Sequence, residues 1–278
     1  MNLPNLSWML NVCELRYIQA LYEAADYRNP DAMVGALLPM ERRLACAVRG
    51  TLLRSQLRGK PFYHYLLART RYYDEVFLDA VHESVRSIIN VGCGSDTRAY
   101  RFAHLLRQKR VAVLECDQPL AIRAKQKIAQ RHWVSDHVTY VALDLEERGQ
   151  NSLARHLDEA SEGPALVMME GVSPYISTES FEAFLRFLAA RLHPRSVLAY
   201  DFKIVDTPED FGRPPRVPRP FRLPAEREQV AGYHAALGFE LQRMELSSEL
   251  SRRLVPGAAL LFDRDCLLRL TPCERISS

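Results

Sequence analysis

The sequence lacks the cysteine pairs that build a zinc site or a disulfide framework. Its six cysteines are scattered through 278 residues, and no Cys-x-x-Cys spacing occurs. Two of them, Cys93 and Cys116, lie in apolar segments and are predicted to be buried thiols. We therefore expect no metal site and a reducing, cytoplasmic environment.

Long apolar runs and a strong charge of one sign are also missing. No uninterrupted window of about 18 apolar residues occurs, so we predict neither a membrane span nor a membrane partner. The first residues lack the basic start, apolar centre and small-residue cleavage site of a secretory signal. The net charge of +3 argues against a nucleic-acid partner held by a broad basic face.

Glycine is scarce, and one pair of glycines marks the centre of the chain. Gly92 and Gly94 follow the apolar run 87–91 and precede a polar helix start, which is the pattern of a nucleotide-binding crevice. The third glycine of a dinucleotide site is replaced by Thr97, and Asp96 places a carboxylate where a pyrophosphate would lie. The turn therefore favours a cofactor with a cationic centre and no phosphate, and S-adenosyl-L-methionine fits that description.

The spacing of apolar residues divides the chain into two parts. Residues 1–84 have helical spacing and are predicted to form an N-terminal helical cap. Residues 85–278 alternate short apolar runs with helical stretches, which predicts an α/β domain with a mostly parallel sheet. We predict strands at 87–91, 111–115, 138–142, 165–169, 196–202, 239–246 and 258–270, and helices at 97–108, 118–131, 147–160, 178–192 and 224–237.

Two features near the end of the chain complete the predicted fold. No helix is expected between the last two strands, so they should form a terminal hairpin whose final strand is antiparallel to the rest. The segment 203–224 contains a proline-rich stretch that is predicted to stay outside the sheet as a lid-like insertion over the acceptor pocket. This arrangement is a class I methyltransferase Rossmann-like sheet rather than a dehydrogenase sheet.

Acidic residues follow several predicted strands, at the edge where ligands bind to such sheets. Asp117 can accept hydrogen bonds from ribose hydroxyls, or it can cap the helix that follows. Asp144 can bind an adenine amino group with Leu145 against the ring, or it can also cap a helix. Glu170 follows a wholly apolar strand and should have a specific partner, because an unpaired buried carboxylate is costly.

The identity of a general base depends on the acceptor. A carboxylate acceptor is already anionic and needs no base, whereas a hydroxyl acceptor needs one. The candidates are Tyr175, Asp201 at the end of the fifth predicted strand, and His234 on the predicted helix at 224–237. The position of His234 is more typical of a surface histidine than of a base.

Five blocks of sequence together resemble the leucine carboxyl methyltransferase family and its bacterial small-molecule O-methyltransferase relatives. They occur in the family's order between residue 68 and about residue 175. The blocks are Ala68-Arg69-Thr70-Arg71, Asp96-Thr97-Arg98-Ala99-Tyr100-Arg101 after the glycine turn, Glu115-Cys116-Asp117-Gln118-Pro119, Asp144-Leu145, and Glu170-Gly171-Val172 with Tyr175.

The resemblance implies a role for each matched position. Arg69 would bind the carboxylate of the methionine moiety, although its residue pattern alone also suits a solvated charge on the helical cap. Gly92 and Gly94 would lie beside the cofactor, Asp117 would bind its ribose, and Asp144 with Leu145 would contact its adenine. Glu170 would lie near the amino group of the cofactor, and Tyr175 near the substrate.

Two departures from the family bear on the acceptor. Glu146 stands where family members usually carry an arginine associated with a carboxylate substrate, and Ser173-Pro174 replaces an apolar pair. We expect an S-adenosyl-L-methionine-dependent O-methyltransferase that acts on a small-molecule carboxylate or hydroxyl, with an anionic or carrier-bound acceptor among the options. One alternative is a methyltransferase that acts on a protein, a carrier-bound group or a tRNA, for which the arginines between 213 and 222 offer a basic edge. The other alternative is a non-catalytic cofactor-binding protein. The sequence leaves the oligomeric state open.

Overall fold

A single mixed sheet lies between two layers of helices in the computed structural model, which describes residues 3–147, 151–160, 163–205, 219–258 and 260–273. The strands are β1 (Ser87–Val91), β2 (Ala112–Asp117), β3 (Val138–Ala142), β4 (Ala165–Met169), β5 (Val197–Ile204), β6 (Arg222–Leu223), β7 (Phe239–Leu246) and β8 (Asp265–Pro272). Within the described ranges the helices are α1 (Leu3–Tyr22), α2 (Met40–Leu52), α3 (Arg54–Arg58), α4 (Pro61–His82), α5 (Arg98–Arg101), α6 (Ala103–Lys109), α7 (Pro119–His132), α8 (Asn151–Ala160), α9 (Thr178–Ala189), α10 (Arg227–Ala235) and α11 (Ser247–Leu254). Short 3-10 helices occur at Ala25–Tyr27, Met33–Leu37 and Ser173–Tyr175.

The strand order confirms the fold class predicted from the sequence. It runs β3-β2-β1-β4-β5-β8-β7, with β6 pairing to β5 off this path. The strands β1 to β5 are parallel to one another, and β8 is antiparallel to both β5 and β7. The central strands β1 and β4 are buried at every position, as expected for parallel strands that helices cover on both faces.

Two apolar cores fill the space between the sheet and its helices. One contains Phe181 and Phe184 of α9 and Val230 of α10 against one face of the sheet. The other contains Tyr73 and Phe77 of α4, with side chains from α6, α7 and α11, against the opposite face. Helix α4 begins at Pro61, whose fixed φ and missing N–H suit the first helical position. Helix α4 passes close to β4 and β5, so the N-terminal helices contribute directly to the crevice described below.

The antiparallel pairing predicted for the last two strands is confirmed, but the direct connection predicted between them is wrong. The strands β7 and β8 do pair antiparallel, but the helix α11 connects them, and β8 begins at Asp265 rather than at residue 258. The sequence of α11 is short and polar, SSELSRRL, and its N-terminus is fixed by the Glu249 carboxylate, which accepts a hydrogen bond from the Leu246 N–H. Its two leucines, Leu250 and Leu254, have helical spacing, but a pattern of only two turns is too short to be assigned from periodicity alone.

The prediction that the segment 203–224 stays out of the sheet was also wrong. Arg222 and Leu223 form β6 and pair in parallel with Lys203 and Ile204, while Phe221 is fully buried in the core. Residues 206–218 lie outside the described part of the chain, and so do Arg213 and Arg216 of the predicted basic edge. The lid role of this segment therefore stays a prediction.

Two smaller differences concern helices and cysteines. The helix predicted at 97–108 is divided into α5 and α6 at Phe102, and the one predicted at 147–160 begins at Asn151, with 148–150 outside the described residues. Cys93 and Cys116 are buried free thiols, as predicted. Within the described part of the chain, no helix combines the length and apolar character needed to cross a membrane.

Candidate active site

The glycine turn after β1 is joined to the end of β2 by one carboxylate. The Asp117 side chain accepts a hydrogen bond from the Gly94 N–H at 2.7 Å and another from the Gln118 N–H at 2.7 Å. Burial raises the pKa of Asp117, and the two backbone donors oppose that shift. The Asp117 carboxylate is half-buried at the edge of the crevice. Neither of the two N–H groups that donate to it lies within helix α7.

The neighbouring acid on β2 is enclosed in the protein interior. Glu115 is fully buried, accepts a hydrogen bond from the Tyr100 hydroxyl at 2.8 Å and lies 2.8 Å from the Lys125 ammonium. That ammonium also donates to the Cys93 carbonyl at 3.1 Å. Since Glu115 is committed to this internal pair, Asp117 is the acid of this block that reaches the crevice.

Gly92 lets the turn after β1 approach the turn after β4. Its φ is +66°, and a Cβ built on it would lie 2.4 Å from a methyl group of Val172. A side chain at this position would be strained by the left-handed backbone and would also clash. The glycine therefore brings the block Glu170-Gly171-Val172 against the first turn.

Glu170 has the partner that its buried position requires. One carboxylate oxygen accepts from Arg69 Nε at 3.2 Å, and the other accepts from Arg98 Nη1 at 2.9 Å. Arg69 comes from α4 and Arg98 from the first turn of α5, so the cap and the glycine turn meet at this carboxylate. Arg69 retains a side-chain exposure of 10%, whereas Arg98 has none.

Arg98 is the centre of a buried cluster of charges. Besides Glu170, its guanidinium binds Asp74 at 2.7 Å, Asp96 at 2.8 Å and the Thr70 carbonyl at 3.0 Å. Asp96 also accepts from the Arg98 N–H at 2.8 Å, which forms an Asx turn directly before α5. Asp96 neutralises the buried Arg98, and this structural role explains why a carboxylate lies beside the glycine turn.

Asp201 lies within β5, close to the Arg69 guanidinium. Its carboxylate accepts from the Tyr73 hydroxyl at 2.9 Å and from the Gly171 N–H at 2.7 Å, and lies 3.8 Å from Arg69 Nη1. The side chain is 2% exposed, and burial raises its pKa to about 6 in spite of the nearby arginine. Asp201 thus positions Gly171 and Arg69.

The acid after β3 and its neighbour have separate partners. Asp144 accepts from Gln118 Nε2 at 3.0 Å and from the Glu146 N–H at 3.0 Å, and Leu145 is buried in the core beside it. Glu146 turns away and binds the start of α9, where it accepts from the Ser177 hydroxyl at 3.0 Å. Glu146 therefore acts as an acid at a helix N-terminus.

The three candidate bases are not brought together. Tyr175 lies in the 3-10 helix after β4, and 44% of its surface is exposed. The position of His234 predicted a surface histidine, but the side chain is fully buried. Its Nε2 lies 2.5 Å from the Tyr200 hydroxyl, and its Nδ1 lies 2.6 Å from the Val230 carbonyl. Burial lowers the pKa of His234 to about 4. Because Tyr200 and Asp201 are consecutive in a strand, His234 lies on the face of the sheet opposite to Asp201.

One contribution to the site was missed by sequence reasoning. Arg16 of α1 donates to the Ser95 carbonyl at 3.4 Å and to its hydroxyl at 3.3 Å, and also pairs with Asp31. Asp31 in turn accepts from the Thr97 hydroxyl at 2.5 Å. These residues tie α1 to the glycine turn, and no local pattern in residues 1–31 marks them as part of a site.

Comparison with known proteins shows which family the chain resembles. The leucine carboxyl methyltransferase family matches residues 23–189. A protein of Mycobacterium sp. (strain KMS) named "Putative S-adenosyl-L-methionine-dependent methyltransferase" is 32% identical over 184 residues, which cover 63% of this chain and 54% of that protein. A protein of the same name from Mycolicibacterium smegmatis is 28% identical over 60% of this chain and 52% of its own.

A solved structure and the extent of the match complete the comparison. Magnesium protoporphyrin IX methyltransferase from Synechocystis PCC 6803, determined with bound SAH, has a TM-score of 0.48 at 16% identity and covers 75% of this chain and 85% of its own. The chain spans about half the length of the curated relatives it matches. The family match extends over more than half of the present chain, from the N-terminal helices to the end of α9. The chain therefore belongs to the leucine carboxyl methyltransferase family.

Proposed function

We propose that this protein transfers a methyl group from S-adenosyl-L-methionine to an oxygen of a small molecule. The observation that carries the proposal is the convergence of a two-glycine turn, the Asp117 carboxylate and the Arg69–Glu170 pair at the carboxyl edge of one sheet. The family assignment supports methyl transfer, and the proposal adds oxygen as the acceptor atom and a small molecule as its source.

The residues present suit the donor. Asp117 presents carboxylate oxygens to two ribose hydroxyls, and the Arg69 guanidinium can bind a methionine carboxylate in a bidentate manner. Glu170 offers acceptor oxygens for an ammonium group. When bound, S-adenosyl-L-methionine supplies an electrophilic methyl group on a positively charged sulfur.

Positioning is the main contribution that the protein makes to the reaction. The acceptor oxygen attacks the methyl carbon in line, the carbon–sulfur bond breaks, and its electron pair remains on the sulfur of the departing thioether. Gly171 and Arg69 are held by Asp201, so the donor side of the crevice is fixed before the acceptor enters.

The candidate bases differ in how well they suit a hydroxyl acceptor. Asp201 already accepts two hydrogen bonds and is almost inaccessible, and His234 lies on the other face of the sheet. Tyr175 is the exposed candidate beside Glu170 and Gly171. A carboxylate acceptor requires no base, so the geometry favours it over a hydroxyl.

Two experiments test the proposal. Calorimetric titration should show binding of S-adenosyl-L-methionine and its demethylated product but not of NAD; binding of NAD alone would refute the proposal.

Incubation with methyl-labelled donor and a panel of carboxylic acids and phenols should then label small-molecule products. Mild base releases the label from esters and leaves ethers intact, which identifies the acceptor group. Label confined to added protein or tRNA would favour a macromolecular acceptor, and donor binding without any labelled product would favour a non-catalytic binding protein.

A further inference from the structure

Helix α2 carries a row of large apolar side chains on the face that points to solvent. Met40, Leu44, Val48 and Leu52 are spaced four residues apart, so they lie one above the other along the helix. Between 57% and 73% of each residue is exposed, although the apolar face of a surface helix normally packs on a core. We call this row the α2 stripe.

The opposite face of α2 is held against α1 by specific contacts. Gly50 is buried there, and a Cβ built on it would lie 2.2 Å from the Tyr22 ring. Arg42 and Arg49 both bind the Glu14 carboxylate of α1, at 3.0 Å and 2.5 Å. Because these contacts fix the rotation of α2, the α2 stripe stays outward unless they break. A contiguous exposed apolar patch of this kind typically marks an interaction site.

The surroundings of the α2 stripe are strongly cationic. Residues 40–60 contain five arginines and one lysine but only one acid, Glu41, so the segment has a formal charge of +5. The whole chain has a net charge of +3, and the other residues together therefore carry −2. Glu14 and Glu23 pair with arginines of the segment, and subtracting these two acids still leaves +3. An apolar row beside excess positive charge favours a partner that is apolar and acidic.

The shape of the stripe favours a helix as the partner. Side chains spaced four residues apart form the ridge that packs into the groove of a second helix. From its first to its last residue the stripe is about 18 Å long, which matches one short helix. It contains no aromatic residue, whereas helices that lie in a membrane interface commonly carry Trp or Phe on the apolar face.

A second copy of this chain fits the surface less well than an acidic helix does. Two copies that met through this face would bring their cationic flanks together, which is unfavourable. A stable dimer also buries about 800 Å² on each partner, and one row of side chains on one helix offers less. The observations therefore point to a transient contact with a different protein.

We propose that the α2 stripe and the arginines beside it form a docking surface for an acidic amphipathic helix of another protein. The apolar side chains of the partner pack against Leu44 and Val48, and its carboxylates meet guanidinium groups, which bind carboxylates in a bidentate manner. This inference does not depend on the proposed function, because the stripe faces away from α1, whose Arg16 reaches the glycine turn.

Two stapled 16-residue helical peptides of opposite charge test the surface. Both carry leucine at alternating intervals of three and four residues, and the remaining positions are glutamate in one peptide and lysine in the other. In fluorescence anisotropy titrations with the whole protein, we expect the glutamate peptide to bind at least tenfold more tightly. Leu44→Glu should weaken that binding at least tenfold. Val134→Glu is the matched control, since Val134 is 54% exposed after α7, and it should change the affinity by less than twofold.

A charge reversal beside the stripe separates the ionic part of the contact from the apolar part. Arg43→Glu should weaken the glutamate peptide at least threefold and strengthen the lysine peptide. Each variant should keep the thermal midpoint of the wild type, which shows that the lost affinity does not come from unfolding. No binding of the glutamate peptide, equal binding of the two peptides, or binding insensitive to Leu44→Glu would each overturn the proposal.

Two further measurements identify the other possible occupants. A wild-type dimer in sedimentation velocity that Leu44→Glu converts into a monomer would assign the stripe to a second copy and overturn the proposal. Co-sedimentation with vesicles of phosphatidylcholine and phosphatidylserine, lost in Leu44→Glu and unaccompanied by binding of the glutamate peptide, would assign it to a membrane surface and also overturn the proposal. We expect a monomer in the first measurement and no co-sedimentation in the second.

Discussion

The hydroxyl of Tyr73 donates a hydrogen bond of 2.9 Å to the carboxylate of Asp201. This bond joins α4, in the N-terminal helices, to β5, and the same carboxylate oxygen accepts from the Gly171 N–H. The charge of Asp201 therefore affects both the packing of α4 and the crevice, and its titration should be measurable.

Asp201 should make stability fall as the pH rises. Burial raises its pKa in the folded protein from 3.8 to about 6, so the folded state binds the proton more tightly than the unfolded state. The resulting stabilisation is fully present below pH 4 and is lost as the pH passes 6. A shift of about two units corresponds to about 3 kcal/mol. We expect wild type to lose up to that amount relative to Asp201→Asn between pH 4 and pH 7, measured by denaturant unfolding. Parallel stability profiles for the two proteins would contradict the assignment.

Arg69 and Arg98 should respond differently to removal, although both bind Glu170. Arg69→Ala should weaken binding of S-adenosylhomocysteine by roughly 1.5–3 kcal/mol, because a charge-assisted contact to the ligand is lost. Arg98→Ala should reduce the free energy of unfolding by roughly 3–5 kcal/mol, because Asp74, Asp96 and Glu170 lose their common partner in the interior. Calorimetry and denaturant unfolding separate the two effects, with Arg123→Ala on an exposed position of α7 as the control. Unchanged ligand affinity in Arg69→Ala would refute its predicted role.

Glu146 should matter to stability rather than to recognition of a substrate carboxylate. Replacing it with arginine, the residue usual in the family according to the resemblance, places a cation at the N-terminus of α9 and removes the acceptor for Ser177 and Ser180. We expect Glu146→Arg to lower the free energy of unfolding by about 1–2 kcal/mol, and Glu146→Gln to lower it less. Glu147→Arg makes the same charge change at the next exposed position and should be nearly neutral. Equal thermal midpoints for the two arginine variants would show that Glu146 does not stabilise α9.

Gly92→Ala should destabilise the protein for two separable reasons. The left-handed φ of +66° costs a side chain about 1–2 kcal/mol, and the contact with Val172 adds about 1–3 kcal/mol of overpacking. Combining it with Val172→Ala should recover the packing part and leave the backbone part. Gly232→Ala in α10 has open space around it and should not destabilise. Denaturant unfolding of the four variants measures both parts, and no recovery in the double variant would mean that Val172 is not the obstacle.

The bounds predicted for β1, β3, β4 and β7 are those observed. The strands β1 and β4 are buried at every position, whereas polar residues interrupt the apolar ones in β3 and β7. The turns after β3 and β4 carry Asp144 and Glu170, the acids expected there at the sheet edge. By contrast, β6 consists of two residues held by pairing with β5, and α11 is a polar helix fixed by its cap and by Leu250 in the core. Such elements depend on tertiary contacts rather than on their own periodicity.

The sequence predicts which positions belong to the candidate site, but it does not predict which of their side chains pair with one another. Arg69, Asp117 and Glu170 follow from the motif blocks, whereas the burial of Arg98 among three carboxylates depends on side chains from α4 and from the turn after β4. The link from Arg16 to Ser95 spans 79 residues and has no local signature. A single sequence does not record which charges meet in the interior.

The short strand β6 gives this protein a natural place for exchange of sequence. Val205 donates from its N–H to the Leu223 carbonyl at 2.9 Å, so the chain leaves the sheet and returns to it at a single point. For a connection closed at both ends, doubling its length costs only about 0.6 kcal/mol in closure entropy. Segments of different length and chemistry can therefore be inserted between Val205 and Arg219 while the sheet register and the buried Phe221 are kept.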